Sequence, residues 1–478
     1  MKEKSGFYSS LRLLLVLNLL VKPLWIFWID RTVQNQQGAV LYGTYFSLYG
    51  FVVVFSFLAD WGLTTYMNRQ LAADPDYYFK RTGNFLLLKA ALVVVYIVIT
   101  SLLAFFSGIR EWEMLFLLLA VQVLNAFFFF NRAIITAKQW FGPDAWFSVL
   151  DKAMMLLLCG SFLLLPVLGQ LSLPVFLWIQ LISTGTAFLA TAVFLRIRRT
   201  GFHFYKEPGF YMQLLKQAWP YGLIVLLMSA HNRIDAFLLE RIHPNGSWEA
   251  GIYAGAYRLV DAGNMAGYLL ASFLLPFIAR HRQQTGMIHE ALLTSRHLLL
   301  LFSVGTAVMA IALAPMIQSV LYYNREPHAI EVMQYCIPVL IAYGIIQLYG
   351  TLLTATGHIR LFCLISGVAL LLNILLNLYL IPRYGALGCC FAALISQSLA
   401  ALFTLQLAIK KTGAGQDARS FAGYIFTGAI LFCFLYFGKQ YIHNFWLLAV
   451  AGTLLSVLAA IALKLINLKR LSLFIKPD

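Results

Sequence analysis

Residues 11–29, LRLLLVLNLLVKPLWIFWI, decide the fold. As an α-helix this run rises about 28 Å at ~1.5 Å per residue, close to the ~30 Å hydrocarbon core of a bilayer. Thirteen similar runs follow it, so it reads as a first membrane span rather than a cleaved leader. The runs lie at about 41–60, 85–106, 114–136, 146–166, 174–195, 217–239, 252–278, 297–321, 332–355, 360–380, 387–409, 421–437 and 445–466. Segments this long exclude a β-barrel, whose strands are about half the length. Composition agrees: 61% of the 478 residues are hydrophobic and only 11% charged, too few for a water-soluble chain of this size. The expected class is an all-α membrane protein with about 14 transmembrane helices.

Loop charge predicts the orientation. With both termini in the cytoplasm, the inner segments carry Lys2, Lys4, Arg12, Arg69, Lys80, Arg81, Lys89, Arg132, Lys138, Arg196, Arg198, Arg199, Lys206, Lys216, Arg280, Arg282, Arg296, Arg360, Lys410, Lys411, Arg419, Lys464, Lys469, Arg470 and Lys476. The outer segments carry only Arg31, Arg110, Arg241, Arg325, Arg383 and Lys439. The net charge of +16 therefore belongs to short loops, which argues against nucleic acid as a partner. No loop is long enough for a soluble domain. The six cysteines all fall in apolar runs without metal-site spacing and read as small buried hydrophobes.

An offset of 211 residues superposes Tyr42 on Tyr253, Lys22 on Arg233 and Asn18 on Ser229. Residues 133–138 also resemble 351–356. Repeats of this kind mark transporters with a central site. They predict two six-helix bundles, 1–207 and 208–413, related by a pseudo-two-fold axis along the membrane normal, with two added helices in 414–478.

Ionisable groups in lipid cost about 2.5–3.5 kcal/mol each on insertion scales, so they persist where paired, wet or useful. Four cations fall within spans: Lys22, Lys152, Arg233 and Arg258. Lys22, Arg233 and Arg258 each lie about 9–10 Å below the outer end of their run. Lys22 shares a helix face with Asn18, and Arg233 with Ser229 and Glu240. A cavity collecting these cations suits a phosphate or diphosphate. The alternatives are snorkelling for Lys22, self-neutralisation with Asp261 for Arg258, and a structural interhelical pair for Asp151 and Lys152. Asp235, Asp261 and His231 are the ion-coupling candidates, with a structural Asp235–His231 pair as the competing reading. Asp60 reads as a structural helix-end residue. Tyr45, Tyr49 and Tyr257 offer flat faces and hydroxyls suited to sugars, or plain packing. Pro23 directly after Lys22 predicts a bend at the charged site, and Pro338 permits another. Gly251/Gly255 and Gly263/Gly267 have the spacing of close helix packing. Phosphate-binding loops, nucleophile elbows and zinc-protease patterns are all absent, so the chain reads as a transporter and not an enzyme, with no cofactor.

The stretch from Asn35 through Tyr42-Gly43-Thr44-Tyr45 to Asp60-Trp61-Gly62-Leu63, together with Pro220, Arg233-Ile234-Asp235 and residues 250–259, AGIYAGAYRL, resembles bacterial O-antigen and capsule polysaccharide flippases. These belong to the multidrug/oligosaccharidyl-lipid/polysaccharide exporter superfamily. The resemblance covers most of the chain. It implies a two-bundle fold with a V-shaped central cavity and alternating access in the cell inner membrane. The implied cargo is undecaprenyl diphosphate carrying an oligosaccharide, moved from the cytoplasmic to the periplasmic leaflet for lipopolysaccharide or capsule synthesis. The implied substrate-binding residues are Lys22, Arg233 and Arg258, with Asn18, Ser229, Tyr45, Tyr49 and Tyr257 beside them. Coupling to a proton or sodium gradient is implied, as is work alongside a polysaccharide polymerase and chain-length machinery. The competing functions are a lipid II flippase, a multidrug exporter, for which an acidic cavity is expected, and a membrane polymerase or ligase, for which a large outer loop is expected.

Overall fold

Backbone polar groups in lipid must be satisfied within their own segment, and the chain answers with helices. A computed structural model describes residues 2–465 except 166, 168, 199, 202, 206–208, 281–284 and 414–417; the side chains of 2–12, 72, 73, 75, 76, 273, 276, 279, 280, 285, 418 and 419 are also outside the description. The expected bundle boundary at 207/208 and several of the loop cations, Arg199, Lys206, Arg282, Lys469, Arg470 and Lys476, lie outside the described residues, as do the side chains of Lys2, Lys4, Arg12, Arg280 and Arg419. The protein is 88% helix without strands among the described residues.

In chain order the helices are α1 (Lys2–Leu24), α2 (Arg31–Phe55), α3 (Leu63–Ala73), α4 (Pro75–Phe79), α5 (Thr82–Phe106), α6 (Trp112–Ala137), α7 (Phe141–Leu164), α8 (Leu173–Ile197) and α9 (Phe210–Ile242). They continue as α10 (Gly246–Arg280), α11 (Thr285–Leu321), α12 (Pro327–Cys336), α13 (Val339–Ala355), α14 (Ile359–Tyr384), α15 (Ala386–Thr412), α16 (Ala418–Gly438) and α17 (Phe445–Ala462). Twelve helical stretches among the described residues are long and apolar enough to cross a membrane. One of them, Leu13–Ala59, is 47 residues long. At ~1.5 Å per residue it measures about 70 Å, more than twice the ~30 Å core, so it makes two crossings. The break is Gly38, whose φ of 76° and ψ of 169° suit only glycine. α10, with 35 residues, is long enough to cross as well, although Arg258, Asp261 and Asn264 interrupt its apolar sequence. The count of about fourteen crossings follows.

Several helices run slightly further than the apolar runs, and the inner-segment cations Lys89, Arg132 and Arg296 lie within helices and not in the loops between them. They lie inside α5, α6 and α11, and Lys89 and Arg296 are each 1% exposed. The helical path through α1 continues beyond the apolar run, through Asp30, Arg31, Gln34, Asn35, Gln36 and Gln37, to the kink at Gly38, sixteen residues after Lys22. A π-helical turn, Trp25–Asp30, follows Pro23 closely. Pro338 separates α12 from α13 within the tenth expected span.

Two compact units emerge, Met1–Phe237 and Leu238–Asp478. The division falls inside α9, because the first part of α9 is built into unit 1. Its Gly222 lies against the corner between α2 and α3, where Gly62 has φ +77°. A Cβ on Gly222 would lie 2.7 Å from the Trp61 carbonyl carbon. A Cβ on Gly50 would lie 2.7 Å from the Arg233 carbonyl oxygen. Phe51 and Phe237 rings lie 4.7 Å apart, and Tyr66 bonds to Gln217. Gly222→Val therefore pushes a side chain into rigid backbone. We expect it to lower the melting temperature of the purified protein by about 5 °C or more, read by a thermal unfolding scan. The same corner explains Asp60: its carboxylate accepts from the Thr64 hydroxyl and from Lys89 Nζ, as a helix-end structural residue should.

Unit 2 packs α10 against α13 through small residues. A Cβ on Gly263 would meet Leu340 at 2.7 Å, and one on Gly267 would meet Gln347 at 3.2 Å, in line with the close-packing reading of that spacing. The added helices α16 and α17 are seated on α11 through Leu313, Leu431, Leu435 and Leu448, and through Leu300, Tyr424 and Ala460.

Candidate functional site

Lys22 lies in the last turn of α1, where Pro23 and the π-helical turn loosen the hydrogen-bond ladder. Its electrostatic neighbours are Asp151 and Lys152 of α7 and Arg132 of α6. Arg132 grips Asp144 at two points, Nε–Oδ1 2.7 Å and Nη2–Oδ2 3.0 Å. Lys152 holds Asp151 at 3.3 Å, and its ammonium lies 4.3 Å from the Trp25 ring centre in the π-helical turn. The pair read as interhelical is thus between sequence neighbours, and the interhelical partner of Lys152 is an indole. Asp144 and Asp151 each already hold a cation other than Lys22. Among the described residues Lys22 is in no ion pair; Asp151 is the carboxylate that acts on it, and a third carboxylate, the buried Asp30, acts together with Lys152 on Cys159.

Asn18, one turn before Lys22, donates to Leu14 O and to Ser148 Oγ, each at 2.8 Å. That second bond ties α1 to α7 and holds the face that presents Lys22. On α9 the Arg233 guanidinium lies 5.6 Å from the Tyr49 ring centre and 6.0 Å from that of Phe46, both on α2. Tyr45 is buried at 1% exposure, its ring 5.5 Å from Tyr42, 5.8 Å from Phe176 and 6.1 Å from Tyr49. Tyr42 in turn donates to Asp30 Oδ2 at 2.6 Å. An aromatic wall thus runs along α2 from the π-helical turn to Arg233. Ser229 is half-buried, while His231 and Asp235 are buried on α9.

In unit 2, Arg258 is buried and pairs with Asp261 at 3.5 Å, one turn on. Tyr257 is buried beside Tyr253, ring centres 5.4 Å apart, with its hydroxyl 3.3 Å from that of Tyr343. Self-neutralisation within α10 therefore describes the Arg258–Asp261 contact.

Residues 14–282 match the family model described as polysaccharide biosynthesis protein. The chain belongs to that family. The match spans more than half of the sequence and includes Lys22, Arg132, Lys152, Arg233 and Arg258. Comparison with curated proteins finds no match. Among solved structures, the polysaccharide biosynthesis protein is similar to the lipid II flippase MurJ in an inward closed conformation: 15% identity, TM-score 0.72, covering 95% of this chain and 98% of that one. It is also similar to the Vibrio cholerae MATE transporter VcmN, at 17% identity and TM-score 0.61, covering 86% and 98% of the two chains. A MOP superfamily transporter from Pyrococcus furiosus gives 16% identity and TM-score 0.62 over 85% and 94%. At such identities the likeness is one of fold: the family member has the helical architecture of MOP superfamily flippases and transporters.

Sequence reading missed Arg132, Asp144, Ser148 and Trp25 in this family member's cation group. Arg132 lies within the run 114–136 and reads there only as one of the inner-segment charges that set the orientation. Its twelve-residue separation from Asp144 across the α6–α7 turn was the available signal.

Proposed function

We propose that this polysaccharide biosynthesis protein is a flippase of the inner membrane that moves undecaprenyl-diphosphate-linked oligosaccharide from the cytoplasmic to the periplasmic leaflet by alternating access. The observation that carries the reading is Lys22, a cation within a membrane span that is in no ion pair among the described residues and lies beside two cations already matched to acids. A diphosphate is the anion that such a charge selects, since a cation within a span gains most from a counter-ion it would otherwise lack. A cationic drug gains nothing from Lys22, which favours this reading over a multidrug exporter. Arg233 and Tyr49 supply a second cation and a flat face for a sugar ring, with Tyr45 buried behind Tyr49 in a packing role. Asp235, Asp261 and His231 remain the groups to test for coupling to a proton or sodium gradient.

Arg233→Ala is expected to abolish polysaccharide export while the protein inserts at its normal level. Surface polysaccharide and membrane-fraction protein measured in the same cells decide it; export at the wild-type rate removes Arg233 from the site. The likeness to MurJ favours one further reading, lipid II as cargo, since it presents the same diphosphate. Rescue of cells depleted of their lipid II flippase separates the two: rescue supports lipid II, and restored polysaccharide export without rescue supports the oligosaccharide.

A further inference from the structure

The ends of α6 and α8 carry a second basic site that plays no part in the transport reading. α6 ends at Lys138 and α8 at Arg198. Lys138 Nζ lies 3.3 Å from Thr200 Oγ1, so the two helix ends meet. Both cations address one indole: Lys138 Nζ is 5.1 Å from the Trp140 ring centre and the Arg198 guanidinium 5.7 Å. Phe79 and Phe194 complete an aromatic floor, 4.8 Å from Lys138 and 5.5 Å from Arg198.

Two like charges on one ring repel, and the ring's negative face offsets only part of that cost. Among the described residues, neither Lys138 nor Arg198 is in an ion pair. Burial pushes the Lys138 ammonium below the usual lysine range, with no carboxylate to counter it. Compensation of a helix C-terminus explains one cation at each helix end, but not the convergence of two on a shared indole. An anion between them relieves the repulsion.

The chemistry of that anion follows from what lies beside it. α8 leaves Ile182, Leu189, Val193 and Ile197 exposed, from 52% to 72%. Their spacing of seven, four and four residues puts them on one helix face that ends next to Arg198. An apolar stripe about 22 Å long at ~1.5 Å per residue, ending one residue before Arg198 and beside Lys138 and Trp140, suits a phospholipid's acyl chain next to its phosphate. We propose that Lys138 and Arg198, seated on Trp140, bind the headgroup phosphate of an anionic phospholipid whose chain lies along α8. The site is separate from Lys22 and stands whatever cargo the protein carries.

The test uses the full chain in phosphatidylcholine nanodiscs, with fluorescent phosphatidylglycerol exchanged in at equilibrium. Each cation near a membrane surface contributes about 1 kcal/mol, so the Lys138→Gln/Arg198→Gln variant is expected to lose about 30-fold in selectivity for phosphatidylglycerol over phosphatidylcholine. The charge-retaining Lys138→Arg/Arg198→Lys variant is expected to keep it. Should the glutamine pair fail to fold, Arg198→Gln alone, at an exposed side chain, is expected to lose about fivefold. Unchanged selectivity in the glutamine variants overturns the site. Displacement of the lipid by millimolar glycerol 3-phosphate assigns the anion to a soluble phosphate and overturns the phospholipid.

Discussion

Lys22→Gln is expected to lower export of the lipid-linked cargo by about 10- to 150-fold, with membrane insertion unchanged. The range corresponds to one charge-assisted hydrogen bond, about 1.5–3 kcal/mol. Glutamine keeps a flexible polar side chain, one atom shorter, and removes the charge. The folded state should tolerate it, because Asp144 and Asp151 keep Arg132 and Lys152 as partners. Lys22→Arg keeps the charge and should restore most of the activity. The measurement is export in cells whose polysaccharide depends on this chain, normalised to protein in the membrane fraction. Normal export by the glutamine variant would falsify the anionic-cargo reading and leave the fold untouched.

Asp60→Asn is expected to be the most destabilising single change in unit 1. Lys89 is 1% exposed, and its ammonium is bonded to Asp60 and, at 3.0 Å, to the Thr64 hydroxyl. Without the carboxylate that ammonium stays buried with no counter-charge. Breaking such a pair on one side costs about 3–5 kcal/mol, whereas replacing both partners by groups of similar volume is often neutral. Asp60→Asn/Lys89→Met should therefore recover most of what Asp60→Asn loses. Thermal unfolding of the purified variants in one detergent checks both; a single variant as stable as the parent shows that solvent reaches Lys89.

Arg132 and Lys22 show how far sequence reading reaches. Both stand out as charges in an apolar chain. The runs 114–136 and 11–29 already place both within helices, as α6 and α1 do, but no run shows which neighbours either charge meets. Pro23 and Pro338 were readable because proline's missing N–H acts locally. The Gly263 and Gly267 spacing was readable because helix periodicity puts both on one face. The pairing of Arg132 with Asp144 was not, since it depends on the turn between two helices.

By itself the sequence determined the membrane class and the approximate helix count, since hydropathy and proline act through the chain's own backbone and the surrounding solvent. Only the tertiary structure decided which charges are matched. Arg132 meets Asp144, Lys89 meets Asp60, and Lys22 is in no ion pair among the described residues, because matching depends on which helices come within 4 Å. No periodicity along a single helix carries that information.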